Sequence, residues 1–182
     1  MKILFINACV RKESRTFKLA TELLAGLNGE IETLNLEELD LKPLNEEKIV
    51  SRLSDEGEQM LAKNFANSDI IVIAAPLWDL SFPALLKLYI ENISISGVTF
   101  KYTESGIMGL CKAKKVYYVS TAGGTFVPNF GYEYIKALCN VMYGITEVKL
   151  FQAEGLDVWG NNVDAILNET STKINEYTKT SN

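Results

Sequence analysis

Arg11, Ser14, Arg15 and Thr16 bring two guanidinium groups and two hydroxyls to the start of a segment with helical apolar spacing. A helix N-terminus adds unpaired backbone N–H groups and the positive end of the helix dipole. Together they suit a phosphate monoester, with each charge-assisted hydrogen bond worth roughly 1.5–3 kcal/mol. The bland alternative is that Ser14 only caps the helix and the arginines are solvated. A second set, Pro76, Leu77, Trp78, Asp79 and Leu80, offers an apolar ledge, an indole and backbone amides, which is what a flat heteroaromatic ring needs for stacking and in-plane hydrogen bonds. Trp78 as a partly buried edge of the core is the competing reading. A third set, Ser120, Thr121, Ala122, Gly123 and Gly124, has hydroxyls and a glycine pair that permits close backbone approach to a ring edge, or else is a plain tight turn.

Each set follows an apolar run. Residues 70–75 (Ile-Ile-Val-Ile-Ala-Ala) are apolar without alternation, as in a strand covered on both faces inside an α/β sheet. Lys2–Asn7 and residues 115–120 repeat the pattern, residues 145–153 give a further strand, and the more polar residues 30–36 suit an edge. Ligands of open α/β sheets lie beyond the carboxyl ends of the strands, which is where all three sets fall.

Helices are expected between the strands. Ala20, Leu23, Leu24 and Leu27 mark the first, with Ser14 or Thr16 as cap and Asn28-Gly29 as stop. Residues 46–67 read as one or two amphipathic helices, broken at Gly57, with Ile49, Val50, Leu53, Met60, Leu61 and Phe65 turned inward. Phe82, Leu85, Leu86, Tyr89 and Ile93 mark another, and Ile135, Leu138, Cys139 and Met142 the next. Asn161 is positioned to cap a last helix through Ile174. Residues 94–113 lack periodicity and read as a long ordered loop, able to wall a ligand pocket. Five strands alternating with helices predict a three-layer α/β sandwich, a five-stranded parallel sheet of order 2-1-3-4-5, in a single domain over residues 1–182.

Composition excludes several classes. The chain has no histidine, which removes Ser-His-Asp and Cys-His catalysis and histidine-ligated metals together. Cys9, Cys111 and Cys139 have neither disulfide-framework nor zinc spacing, so no metal is expected. A net charge of −5 with scattered basic residues makes nucleic acid a poor partner. The first residues form an apolar run too short for a signal peptide or membrane span, so a cytoplasmic protein without a membrane partner is expected. Without histidine, the chemistry of an enzyme is expected to fall to a bound cofactor.

The stretch P-L-W-D-L-S-F-P-A-L-L-K at 76–87, G-V-T-F-K-Y at 97–102, G-I-M-G-L at 106–110 and S-T-A-G-G at 120–124 resemble the FMN-dependent NAD(P)H azoreductase and quinone reductase family, of flavodoxin-like fold. The likeness covers nearly the whole chain. It implies that FMN is bound by Ser14, Arg15 and Thr16, joined by Arg11, at the phosphate, by residues 76–80 along the isoalloxazine, and by residues 120–124 at the pyrimidine edge. It also implies NADH or NADPH as donor, a small aromatic quinone or azo acceptor at Phe100, Tyr102 and Phe126, and a homodimer. No side chain is expected to be catalytic. The chain departs from the family in having Ala8-Cys9 where serines are frequent, and Asp79 where asparagine is usual. Asp79 would either oppose charge on a reduced ring or cap the following helix. The competing reading is a flavodoxin-type electron carrier, against which the walling role of residues 94–113 argues.

Overall fold

A computed structural model describes residues 1–181 of the chain. Alternation along its strands decides which helices cover which face. On β1 (Lys2–Asn7), Ile3 and Phe5 enter one buried cluster, Leu4 and Ile6 another. The same split recurs on β3 (Ile70–Ala74), where Ile70, Val72 and Ala74 oppose Ile71 and Ile73, and on β6 (Lys115–Thr121), where Tyr117 and Val119 oppose Val116 and Tyr118. Both faces are therefore apolar, and each needs a layer of helices.

The face of Ile3 and Phe5 is covered by α1 (Arg15–Ala25) and α6 (Val163–Ser181), through Leu19, Leu23 and Ile174. The other is covered by α3 (Met60–Asn67), α4 (Ala84–Ile93) and α5 (Phe130–Leu138), through Phe65, Leu86, Ile90 and Ile135. With β2 (Glu30–Asn35) and β7 (Glu147–Ala153) at the edges, the sheet is parallel throughout, in the order β2-β1-β3-β6-β7. The fold class and the five parallel strands match the expectation. The numerical order differs because the chain inserts two strands, β4 (Phe100–Thr103) and β5 (Gly106–Gly109), ahead of the sheet's fourth member.

These inserted strands replace the expected loop over residues 94–113. They pair antiparallel as a separate hairpin, from Phe100 opposite Gly109 to Thr103 opposite Gly106. The hairpin's exit is pinned where α3 ends and β7 has yet to begin: Lys112 N–H donates to Ala66 O (2.8 Å), and Cys111 N–H to Tyr143 O (3.3 Å). Lys112 also pairs with Asp69, whose carboxyl also accepts from Lys2 N–H; those two hydrogen bonds draw its pKa below the usual carboxylate range. All these anchors lie at the amino-terminal ends of the strands, so the hairpin cannot wall a ligand at the carboxyl ends.

Two further expectations are corrected. Residues 46–67 do break near Gly57, where Asp55 Oδ1 accepts from the N–H groups of Gly57 and Glu58. Yet Ile49, Val50, Leu53 and Met60 face solvent. The helix α2 (Glu46–Ser51) is too short to bury a face, and the segment is tied down by polar contacts instead, with Arg52 Nη1 on Glu91 O (2.9 Å) and Gln59 Nε2 on Arg52 O (3.0 Å). The last helix is capped by Asn162, which accepts from Ala165 N–H, while Asn161 binds Gly155 O. Among the described residues no helix is long and apolar enough to cross a membrane.

Gly109 shows why the hairpin's sequence is restricted. A Cβ there would lie 2.1 Å from Gly144 N and 2.2 Å from Tyr143 C, backbone that cannot move aside. Gly109→Ala should therefore destabilise the protein by about 1–3 kcal/mol or more through overpacking, read as a lower urea midpoint at unchanged slope. An unchanged midpoint would show that the hairpin is not docked on residues 143–144.

Candidate functional site

Three loops leave the carboxyl ends of β1, β3 and β6 at one level because the ladder's hydrogen bonds continue into them. Ala8 N–H reaches Ala74 O (2.9 Å), Ala75 N–H reaches Val119 O (3.0 Å), and Leu77 N–H reaches Thr121 O (2.9 Å). Between them lies a cavity of about 360 Å³, lined from the first loop by Arg11, Ser14, Arg15 and Thr16, from the second by Pro76, Leu77 and Trp78, and from the third by Thr121, Ala122 and Gly123. That is a usual size for a small-molecule site, roughly 300–1,000 Å³. Ten of the sequence-predicted residues thus share one cavity.

The first loop's polar groups are partly engaged. Ser14 caps α1, its Oγ accepting from Phe17 N–H at 3.2 Å, which leaves its own proton to donate. Thr16, fully buried, shares a 2.6 Å hydrogen bond with Thr121, tying the start of α1 to the end of β6 and leaving one hydroxyl proton of the pair for a ligand. Arg15 lies 3.0 Å from Asp157 and 3.4 Å from Leu156 O. Arg11 has no hydrogen-bond or ion-pair partner among the described residues. The first-turn N–H groups of Arg15 and Thr16 have no intrahelical acceptor, as in any α-helix.

The second loop turns sharply. Trp78 and Ser81 exchange two backbone hydrogen bonds, at 3.0 and 2.8 Å, around Asp79 and Leu80, which both have positive φ, 49° and 67°. This is a two-residue turn of the kind glycine or asparagine favours; leucine there is strained, at a cost on the order of 1 kcal/mol. The strain fixes the indole, which is 41% exposed, at the cavity edge. Two expectations fail here. The N–H groups of Leu77 and Trp78 are consumed internally and are not available to a ring. Asp79 and Leu80 lie outside the cavity lining, and Asp79 does not cap α4, whose first turn has no side-chain cap.

In the third loop Ser120 is fully buried on the face opposite Val119, its hydroxyl unpartnered among the described residues, so it does not reach the cavity. Gly124 also lies outside the lining, whereas Gly123 lines it, and the Gly123 N–H group has no acceptor among the described residues. Of the expected acceptor pocket, Phe100 is buried in the hairpin and Tyr102 lies on it, at the far end of the sheet. Phe126 is at the cavity end, fully exposed and at φ 55°, but does not line the cavity.

A fourth loop, after β7, was missed. Leu156 and Asp157 line the cavity, and Trp159 stands 99% exposed beyond them. Its backbone is laced to the third loop: Gly155 N–H to Gly124 O (2.8 Å), Leu156 N–H to Ala122 O (3.2 Å) and Asp157 N–H to Gly123 O (3.0 Å). The signal available was G-L-D-V-W-G directly following a carboxyl strand end.

Cys9 also lines the cavity, its Sγ 3.7 Å from Ala74 O. Burial pushes its thiol up to about 11. It is therefore protonated at neutral pH, and only a fraction on the order of 0.1% is thiolate at pH 8. Labelling by iodoacetamide should be slow at pH 8 and accelerate tenfold per pH unit toward 11; labelling at the rate of a free cysteine would show that the pocket opens.

Residues 1–178 match the family described by its flavodoxin-like fold. The chain is 38% identical to the FMN-dependent NADH:quinone oxidoreductase 2 of Clostridium acetobutylicum, with 98% of each chain covered. It is 36% identical to the FMN-dependent NADH:quinone oxidoreductase of Clostridium beijerinckii, again covering 98% of each. Among solved structures, an azoreductase from Bacillus anthracis superposes with a TM-score of 0.86 at 22% identity, covering 99% of both chains. An FMN-dependent NADH-azoreductase from the same organism, in complex with FMN, superposes with a TM-score of 0.82 at 24% identity and 98% coverage of both.

Proposed function

The chain belongs to this family of flavodoxin-like fold, with FMN-dependent NADH:quinone oxidoreductases among its relatives, and on that premise we propose that it is an FMN-dependent oxidoreductase passing electrons from NADH to a quinone or similar flat aromatic acceptor. The observation that carries this reading is the meeting of a helix N-terminus, an exposed indole on a strained turn and the free N–H group of Gly123 around one cavity at the sheet's carboxyl end. The donor set fits FMN: an anion at α1, a flat ring along the second loop, and a hydrogen-bonding edge at the third. The sequence argument from residues 94–113 no longer separates enzyme from carrier; kinship with the quinone oxidoreductases does.

When bound, FMN supplies the two-electron chemistry, so no side chain here need gain or lose a proton. Arg11, the Ser14 hydroxyl and the N–H groups of Arg15 and Thr16 hold the phosphate. Pro76, Leu77 and Trp78 would give the ring its ledge, and the Gly123 N–H group would donate to its polar edge. Asp79 and Leu80 contribute through the turn they form, and Phe126 and Trp159 stand where an acceptor would be covered.

The purified protein should be yellow and release FMN. Donor and acceptor must use the same mouth in turn, so initial-rate plots with NADH and a quinone should be parallel; intersecting lines would mean both bind together. Trp78→Ala should lower kcat/KM at least tenfold while shifting stability by less than about 1 kcal/mol, because its indole is only half-buried.

We further propose a homodimer that covers the cavity end. Trp78, Phe126, Phe130 and Trp159 are exposed there by 41, 95, 58 and 99%, more aromatic surface than a monomer normally leaves in water. Phe100 and Tyr102, at the opposite end, do not belong to that patch. Light scattering on the flavin-loaded protein should give twice the chain mass, and Phe126→Ser with Trp159→Ser should shift it toward monomer. A monomeric mass for the unaltered protein, with full activity at high dilution, would defeat this proposal.

A further inference from the structure

The cavity's lining charges cancel. Arg11 and Arg15 are matched by Glu13 and Asp157, so a phosphate entering this cavity meets no net side-chain charge and depends on the N-terminus of α1 for a positive field. Nor are the two arginines equivalent. Arg11 is unpaired among the described residues, whereas Arg15, the first residue of α1, is held by Asp157 Oδ1 at 3.0 Å and Leu156 O at 3.4 Å.

The backbone that carries Asp157 is fixed. Its N–H is bonded to Gly123 O, its two predecessors are bonded to Gly124 and Ala122, and its carboxylate lies so close over Gly123 that a Cβ there would meet Oδ2 at 2.5 Å. Both side chains are open to water, Arg15 42% and Asp157 72% exposed, and Arg15 is the longer and more flexible of the two. An exposed ion pair of this kind is weak, so a competing anion can take the guanidinium at small cost.

We infer that Asp157 is a built-in competitor of the flavin phosphate for Arg15, which weakens the hold on the phosphate and leaves the flavin exchangeable. The inference rests on the reading that the first loop receives that phosphate. A dianion at the N-terminus of α1 would draw on the same guanidinium that Asp157 holds, and it would bring its charge toward the Asp157 carboxylate. Either Arg15 divides its hydrogen bonds or it leaves Asp157 behind. In both cases, part of what Arg15 would contribute to phosphate binding is already spent in the free protein.

The test is titration of the flavin-free full chain with FMN and with riboflavin, which lacks the phosphate, followed by flavin fluorescence. Asp157→Asn, nearly isosteric, should tighten FMN roughly three- to tenfold, the size expected for removing one charge near a phosphate at a wet surface, and leave riboflavin unchanged. Asp157→Ala should do the same, and adding Arg15→Gln to either should cancel the gain. FMN binding that is unchanged or weaker in Asp157→Asn, while the unaltered protein binds FMN, would overturn the inference alone and make Asp157 a support that aims Arg15 at the phosphate. An unaltered protein that binds neither flavin would overturn the proposed function and this inference with it.

Discussion

The backbone ladder that outlasts the strands is the constraint on which the cavity depends. Ala8, Ala75, Leu77 and Ala122 each donate to the neighbouring strand or its extension after regular strand pairing has ended. Each such bond is worth only about 1 kcal/mol net, but leaving a buried N–H unpaired costs roughly 1–3 kcal/mol, so the loops follow the sheet until their donors are satisfied. Their divergence is thereby delayed to a common level, and the space between them is set by strand spacing rather than by loop preference. Side chains then tie the loops sideways: Thr16 to Thr121, and Arg15 to Asp157.

That economy of donors has a cost at the second loop. With the N–H groups of Leu77 and Trp78 committed to Thr121 and Ser81, the chain can turn within two residues only through left-handed backbone at Asp79 and Leu80. Strain at such positions persists where the surroundings over-determine it. Here those surroundings are the bonds on either side of the turn, together with Phe130 N–H on Leu80 O at 3.0 Å. The indole is thus held by backbone geometry rather than by burial.

What could be read in advance follows from how local the signal is. The buried runs, their period-two split and the helices facing them were legible because burial on both faces leaves a continuous apolar stretch that few other structures explain. The loops that carry Arg11, Trp78 and Gly123 were legible because strand ends fix where ligands go. The failures came where tertiary contacts rather than local pattern decided. Ile49 and Val50 have helical spacing but face water because Arg52 anchors their segment by a polar bond. Phe100 and Tyr102 looked like pocket residues until the hairpin turned out to be fastened at the other end of the sheet. The position of Asp157 after a strand end is a local signal, but its pairing is not; that comes from lying across from Arg15, far away in sequence.

The connectivity also dictates when the cavity comes into being. Every pair in the main sheet joins distant residues, Lys2 with Glu30, Ile3 with Ile70, Ile70 with Lys115 and Lys115 with Glu147, whereas β4 and β5 meet across a short turn. Closing long loops costs chain entropy that local pairs do not, so the hairpin can form within microseconds while the parallel sheet waits on slower encounters. Since the fourth loop follows the last strand, a chain emerging from the ribosome has its first helix capped long before Asp157 arrives to meet it. The cavity is therefore completed late in biosynthesis, and a nascent chain stalled before β7 would carry the first three loops without the Leu156 and Asp157 that finish its lining.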